Sequence, residues 1–530
     1  VSLEIQVAII VGYLVLALVI GLVAYRLTER TAEDFYLASR TVGTVVLLFT
    51  TFATLLSAFT FFAGPNLAFV NGPEWLLVMG VMDGLIFAVL WYVIGYKQWL
   101  LGQQRSYVTL GEMLGDRFGS PKLRGLVAGV SLVWLFPYVM LQQVGAGTAL
   151  EALTEGAIPY AFGAGLITLF MILYVVIAGF RGIAWTDTLQ GAFMLITTWV
   201  ALVWIIAQVG GPSVATAELE VTAREHLALG SAYYTPQYML STAITIGFGV
   251  AMFPQVNQRF FAAGSKRVLK QSFALWPILC LLLFVPAFLL GAWARGLETG
   301  IDVETIEAGG NVLPLILAEF TPFWFAALVI AGAMAAMMSS SDSMLLSGSS
   351  YFTRDIYRPF VDASISARRE DVIARVGVVV FAVTTFIASL YNPATLFELG
   401  DAAFSGFAQL ALPVIVALYW RGTTRAGIVA GIVGSQVFYL ANVFNSQLTA
   451  GIIALEGALG TVPILGTVVG GFSAPLTNLV TTVFAGTYLG WSAGLVGMGL
   501  GLLLTITVSW LTRPAPDEEQ AIYFEALESD

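Results

Sequence analysis

Uncharged, apolar runs of twenty or more residues recur along the whole chain, and short segments between them collect the charges. About 20 helical residues cross the hydrocarbon core of a bilayer, so each run reads as a transmembrane α-helix. The pattern predicts thirteen spans, near 4–25, 43–70, 75–96, 124–150, 160–179, 183–209, 238–258, 271–294, 323–350, 372–390, 395–420, 426–444 and 488–511. A barrel would show alternating segments of about ten residues instead. The first run, Ile5 to Ala24, has no basic stretch before it and reads as a retained span, not a cleaved signal. Residues 446–487 are less regular: apolar, rich in Gly and Thr, with Glu456 their only charge. They read as an external, partly re-entrant segment; two further crossings, for fifteen spans, are the alternative.

Composition supports the same class. The chain is 58% hydrophobic and 11% charged, against about 25% charged in soluble proteins. Lys and Arg accumulate in cytoplasmic loops. With the N-terminus outside, alternating loops place 21 of the 23 Lys and Arg on the cytoplasmic side, leaving only Arg224 and Arg295 external. One cysteine, Cys280, excludes an internal disulfide, and one histidine, His226, excludes a multi-histidine metal centre. The phosphate-binding pattern G-x-x-x-x-G-K-[ST] is absent, which argues against ATP-driven transport by this chain. Without histidine or cysteine clusters or a soluble catalytic domain, the chain is not expected to be an enzyme.

Polar groups inside a span are costly and mark functional candidates. The second run holds Thr50, Thr51, Thr54, Ser57 and Thr60. From Gly43 to Val70 it would measure about 40 Å as one helix, longer than the core of about 30 Å, so it is tilted or interrupted. In Ala336-Met337-Met338-Ser339-Ser340-Ser341-Asp342-Ser343, residues 336, 339, 340 and 343 share one helix face. Hydroxyls and free carbonyls suit Na⁺, which needs several oxygens in place of its water shell; the plainer readings are hydroxyls bonded back to their own helix in the second run and a hydroxyl-lined helix contact in this stretch. Asp187, a few residues into its span, is either a stepping stone for a departing cation or a charge favoured at a helix N-terminus. Asp83, on the outer side of the middle of the third span, suits a cation or solute contact, or a buried hydrogen bond.

Several motifs resemble the sodium/solute symporters, which include the sodium–proline, sodium–pantothenate and sodium–glucose transporters. They are Asp34-Phe35-Tyr36-Leu37-Ala38-Ser39-Arg40, Trp185-Thr186-Asp187-Thr188-Leu189-Gln190, Gln258-Arg259-Phe260, Ala335 to Ser343 running into Asp355-Ile356-Tyr357, and Leu418-Tyr419-Trp420-Arg421. The resemblance implies an all-α polytopic membrane protein with a five-plus-five inverted-repeat core whose first and sixth core helices are interrupted near the ion site. The implied division is an extra helix and loop (1–42), a first repeat (43–209), an external loop (210–237), a second repeat (238–421), extra helices (422–512) and a short acidic cytoplasmic tail (513–530). Carried over residue by residue, the Na⁺ site takes the carbonyls of Ala53, Leu56 and Ala336 and the hydroxyls of Ser339 and Ser340. Asp187 lies on the release path and Arg40 at the cytoplasmic mouth; Thr60, Asp83 and Gln142 are candidate solute contacts. Two departures stand out: Leu55 where relatives have a polar or acidic residue, and Gly247-Phe248-Gly249-Val250 where sugar transporters place an aromatic gate. The expected function is Na⁺-coupled import of a small carboxylate, amino acid or vitamin-like solute through the plasma membrane, with the lipid bilayer and the solute as partners and no nucleic acid. A proton-coupled carrier using Asp83 and Asp187 is the alternative; a channel or solute sensor is more remote.

Overall fold

With no water in the hydrocarbon core, a segment must satisfy its own backbone hydrogen bonds, and an apolar run therefore becomes a helix. The computed structural model describes residues 2–26, 36–297, 299–391, 394–459, 473, 475–478, 480–513, 523–525 and 527. Among them are 11 helices long and apolar enough to cross a membrane, and two bent pairs that bring the total to 13. All coincide with expected spans. In chain order they are α1 (Ser2–Arg26), the bent pair α2 (Thr44–Leu55) and α3 (Phe59–Asn71), and α4 (Leu76–Arg105). An amphipathic helix, α5 (Leu110–Arg117), precedes α6 (Pro121–Leu153), α7 (Tyr160–Ile177) and α8 (Gly179–Val209). The second bent pair is α9 (Pro236–Met252) and α10 (Pro254–Ala262). It is followed by α11 (Lys266–Ala294), α12 (Phe323–Phe360), α13 (Ala367–Ser389), α14 (Leu396–Tyr419), α15 (Arg425–Val443) and α16 (Ala493–Leu511).

Local chemistry sets many of the boundaries. Ser120, Thr235, Ser265, Thr395 and Ser492 each cap the first turn of the helix that follows, accepting from a backbone N–H three residues on. Gly179, at φ +59°, separates α7 from α8 in a conformation that a side chain would strain. In 446–487, a 15-residue helix covers Asn445–Leu459; residues 460–472 lie outside those described, and with them the choice between re-entry and two crossings.

Helix α12 lies at the centre of the bundle, with every residue from Val329 to Tyr351 buried. The arginine-bearing loops converge at one end. There Glu112 on α5 pairs with Arg124 at 2.9 Å and Arg354 at 2.8 Å, and Arg124 pairs with Asp355 at 2.7 Å. Burial favours a neutral Glu112, but the two arginines outweigh it and hold its carboxyl below the usual carboxylate range. Tyr523, Phe524 and Leu527 are buried against this end, with the rings of Tyr523 and Phe524 4.9 and 5.0 Å from the Arg117 guanidinium.

Candidate functional site

The second span bends by 63° between α2 and α3, with Leu56 extended at ψ 128°. A helix end leaves its last carbonyls and first N–H groups without partners. Here those groups are met by side chains from three directions. Ser57 Oγ accepts from Phe59 N–H at 3.1 Å, and Gln142 Oε1, from α6, accepts from Ala58 N–H at 2.9 Å. Ser340 Oγ, from α12, lies 2.8 Å from Thr54 O and 2.5 Å from Leu56 O, donating to either. Gln142→Leu should leave the Ala58 N–H buried and unsatisfied, at a cost of about 1–3 kcal/mol. A fall in the melting temperature of purified protein checks this; an unchanged value would show that Gln142 does not hold the bend.

Deeper along the same face, Ser339 Oγ donates to Asp187 Oδ1 at 2.6 Å and Thr50 Oγ1 donates to Asp187 Oδ2 at 2.6 Å. Arg259, on α10, points into this cluster. Its Nη2 is 2.9 Å from Asp187 Oδ2, 2.9 Å from Thr50 Oγ1 and 2.7 Å from Ser343 Oγ, and it also reaches Thr54 Oγ1. Both members of the pair are about 1% exposed. Asp342 is buried alongside, with Oδ1 lacking a partner. Oxygens of the kind a Na⁺ shell requires are thus gathered where α2, α8, α10 and α12 meet, and most are bonded to one another.

A second feature lies on the other side of Leu56. An enclosed cavity of about 20 Å³ is lined by Leu56, Phe59, Thr60, Asp83, Tyr138 and Phe404, among others. That volume holds about one water. Beyond it, toward the end with few Lys and Arg, an open cleft of about 400 Å³ is lined by Asn66, Thr148, Asn311, Phe397 and Glu398. Phe59 of the cavity stacks on Phe397 of the cleft with centroids 5.8 Å apart, so an aromatic pair separates the two. At the opposite end Arg40 donates to Phe261 O at 3.1 Å and Tyr107 O at 2.8 Å, and Val42 bridges to Ala263, tying the chain before α2 to the end of α10.

Direct hydrogen bonds therefore bring together Leu56, Ser339, Ser340 and Asp187. Ala53 and Ala336 are fully buried on the two helices so joined. The bend deprives the Ala53 carbonyl of its i+4 donor, whereas Ala336 lies in unbroken helix and offers only a second lone pair. Asp187 is in the cluster itself, accepting from Ser339 and Thr50. Thr60 and Asp83 share the cavity, while Gln142 gives its amide to Ala58 and to Tyr138 O at 3.0 Å and does not line it. Arg259 is a correction: counted among cytoplasmic loop charges, it is 1% exposed inside the bundle. Pro254 starts a short helix that turns by 57° back into the protein. The motif Gln258-Arg259-Phe260 was visible, but nothing local showed that its arginine points inward.

Thirteen spans among the described residues, with two of them broken around clustered hydroxyls, carbonyls and a carboxylate, define a secondary transporter of the discontinuous-helix type. The chain belongs to the sodium:solute symporter family, whose model matches residues 35–435. It is 28% identical over 450 residues to the sodium/pantothenate symporter of Escherichia coli K12, covering 83% of this chain and 90% of that protein. It is also 28% identical over 458 residues to the sodium/proline symporter of Haemophilus influenzae, covering 80% and 85%. The fold matches a Na⁺-coupled sialic acid symporter in a substrate-bound outward-open state, with TM-score 0.75, 19% identity, and 97% and 98% of the two chains covered. A nucleobase-cation-symport-1 family transporter in a closed conformation matches at TM-score 0.52 and 14% identity, covering 94% of this chain and 99% of that one. Members of the family are transporters, and this chain is a membrane transporter and not an enzyme.

Proposed function

We propose that the chain imports a small organic solute by alternating access, driven by Na⁺ binding where α2 meets α12. The observation that carries this reading is the Ser340 hydroxyl, held against Thr54 O and Leu56 O at the bend. A hydroxyl poised on carbonyls freed by a helix break can exchange those bonds for a dehydrated cation. The ligand set is Ala53, Leu56 and Ala336 carbonyls with the Ser339 and Ser340 hydroxyls. Asp187 next to Ser339 draws Na⁺ toward the arginine-rich end, where Arg40 closes the exit.

The N-terminus lies outside and the arginine-rich end faces the cytoplasm, following the distribution of Lys and Arg. The two bends fall in the second and seventh spans, five apart, as a five-plus-five inverted repeat requires, with 43–209 and 238–421 as its halves. The cavity between closed aromatic and arginine contacts is then an occluded compartment, and each inward Na⁺ charge contributes about 2.3 kcal/mol per 100 mV of membrane potential. Na⁺ acts by favouring the state that captures solute, through its difference in affinity between the two states.

In purified, solute-free protein, Na⁺ should raise the melting temperature where K⁺ does not, and in proteoliposomes an inward Na⁺ gradient should drive concentrative uptake. Uptake that follows a pH gradient and ignores Na⁺ would reject the reading. Ser340→Ala should raise the Na⁺ concentration for half-maximal effect about tenfold, the loss of one hydroxyl ligand. Ser341→Ala is the matched control, since Ser341 Oγ bonds only back to Met337 O on its own helix, at 2.7 Å. Equal sodium dependence in the two variants would place the ion elsewhere.

A further inference from the structure

The enclosed cavity has a one-sided charge. Around its wall, Asp83 is the charged side chain, set among Phe59, Tyr138, Trp276 and Phe404. Asp83 is 6% exposed, and its Oδ1 is buried without a hydrogen-bond partner. Among the described residues, no Lys, Arg or His lines this cavity or bridges to Asp83. The contrast lies a few side chains away: Asp187, equally buried, is neutralised by Arg259 at 2.9 Å. A carboxylate taken out of water needs a counter-charge or a proton, because burying it alone is far costlier than burying any neutral group.

The backbone around it is built for close approach. Gly64 N–H bonds to Phe59 O, one residue beyond the α-helical partner, and Leu76–Asp83 is likewise wound as π-helix, so both walls carry widened turns. Such turns concentrate at functional sites. On the facing helix α9, a Cβ at Gly247 would come within 3.2 Å of Asp83 Oδ1. The same Cβ would meet Ile86 Cγ2 at 2.6 Å and Ile86 Cβ at 3.1 Å, so glycine there lets α9 pack against Ile86 and the Asp83 carboxylate together.

We infer that, once the cavity widens from the one-water volume it has in this closed arrangement, the solute presents a cationic nitrogen, an ammonium or a substituted ammonium, to the Asp83 carboxylate, with its apolar part against the rings of Phe59, Tyr138 and Phe404. The aromatic faces suit the same charge, since a cation near a ring face is attracted by its quadrupole. A solute whose only charge is a carboxylate supplies no counter-charge, and Asp83 would have to take up a proton to admit it. Amino acids and amines are thus favoured over the monocarboxylates and carboxylated vitamins that the sequence left equally open. This inference rests on the cavity being the solute site of the proposed symporter.

The test uses purified full chain in saturating Na⁺ and reads melting temperature and equilibrium binding. The probes are proline, ethanolamine, choline and betaine, set against nitrogen-free counterparts: cyclopentanecarboxylate, ethylene glycol, 3,3-dimethylbutan-1-ol and 3,3-dimethylbutanoate, with pantothenate and pyruvate as carboxylates lacking a cationic nitrogen. At least one cationic member should bind while its counterpart does not, and Asp83→Asn should weaken that binding about 30-fold or more, as loss of one partner of a buried charge pair does. Binding of pantothenate or pyruvate that Asp83→Asn leaves unchanged would overturn the inference, as would silence across all four cationic probes. A cationic probe whose affinity is unmoved by Asp83→Asn would overturn it too. Asn is close to isosteric and Asp83 has no hydrogen bond to lose; the Na⁺-induced melting shift confirms folding of the variant. Should the variant not fold, the wild-type comparison of each probe with its counterpart stands by itself. If the Na⁺ shift persists while the cationic probes fail, the solute class alone is rejected. If the probes bind but Na⁺ has no effect, the sodium reading alone is rejected.

Discussion

Asp187→Asn should abolish Na⁺-driven uptake and destabilise the protein by about 3–5 kcal/mol, the cost of leaving one member of a buried pair uncompensated. The stranded charge is Arg259, whose Nη2 now rests on Asp187 Oδ2 at 2.9 Å with the hydroxyls of Thr50, Thr54 and Ser343 around it. Asn keeps the shape and can still accept from Ser339, but it supplies no counter-charge. The two consequences separate in a double variant. Asp187→Asn combined with Arg259→Gln removes both charges and should restore most of the melting temperature, because a buried pair replaced as a whole is far cheaper than one broken. Sodium-driven uptake should stay lost, since the carboxylate beside the Ser339 ligand is still absent. Melting temperature and initial uptake rate, measured on the same preparations, decide it. A single variant with normal stability would show that Arg259 finds water or another partner, and a double variant that transports normally would remove Asp187 from the ion's path.

Gly249→Ala should give little or no folded protein. Its Cβ would lie 2.1 Å from Phe404 O, 2.8 Å from Phe404 C and 3.0 Å from Phe404 Cα. All three are backbone atoms of α14, so no side-chain rotation relieves the contact and α9 must move off α14. Overpacking of an ordinary core costs about 1–3 kcal/mol, and a backbone-to-backbone collision should exceed that range. Gly64→Ala is the instructive comparison. Its Cβ would meet Phe288 Cε1 at 2.2 Å, but a ring at the end of a side chain can swing aside. Monodisperse yield on size exclusion and the melting temperature should therefore rank wild type, Gly64→Ala and Gly249→Ala in that order. Near-equal yields of the two variants would mean that α9 and α14 are not packed as closely as described.

The same contact explains a feature that the chain alone left open. Gly247-Phe248-Gly249-Val250 departs from the aromatic gate of sugar transporters, and the sequence offered no reason for two glycines there. Gly249 admits the backbone of α14, and Gly247 leaves room for Ile86 and the Asp83 carboxylate. Of the candidate ligands, Ser339 and Ser340 could be picked out because four hydroxyls and a carboxylate within six residues exceed what packing needs. Gln142 was harder to interpret. A glutamine in a long apolar helix, next to a second one at Gln143, does not reveal whether its amide meets a solute or, as here, a backbone N–H one helix away.

By itself the sequence located the thirteen spans found among the described residues, because hydropathy acts residue by residue and the bilayer leaves an apolar run no structure except a helix. The bend at Phe253 has a local contributor, since the residue before a proline is pushed toward extended backbone and Pro254 opens the next helix. But Pro137, Pro277, Pro286 and Pro413 lie inside unbroken helices, so proline alone does not fix it. The bend in the second span is different in origin. No Gly or Pro lies between Leu55 and Phe59, and Ser57 alone caps one N–H. Gln142 from α6 and Ser340 from α12 supply the remaining bonds from 84 and 284 residues away. Only the tertiary structure could decide that break, and with it the inward turn of Arg259. An interrupted helix inside a membrane persists only where distant side chains replace the backbone bonds that the break removes.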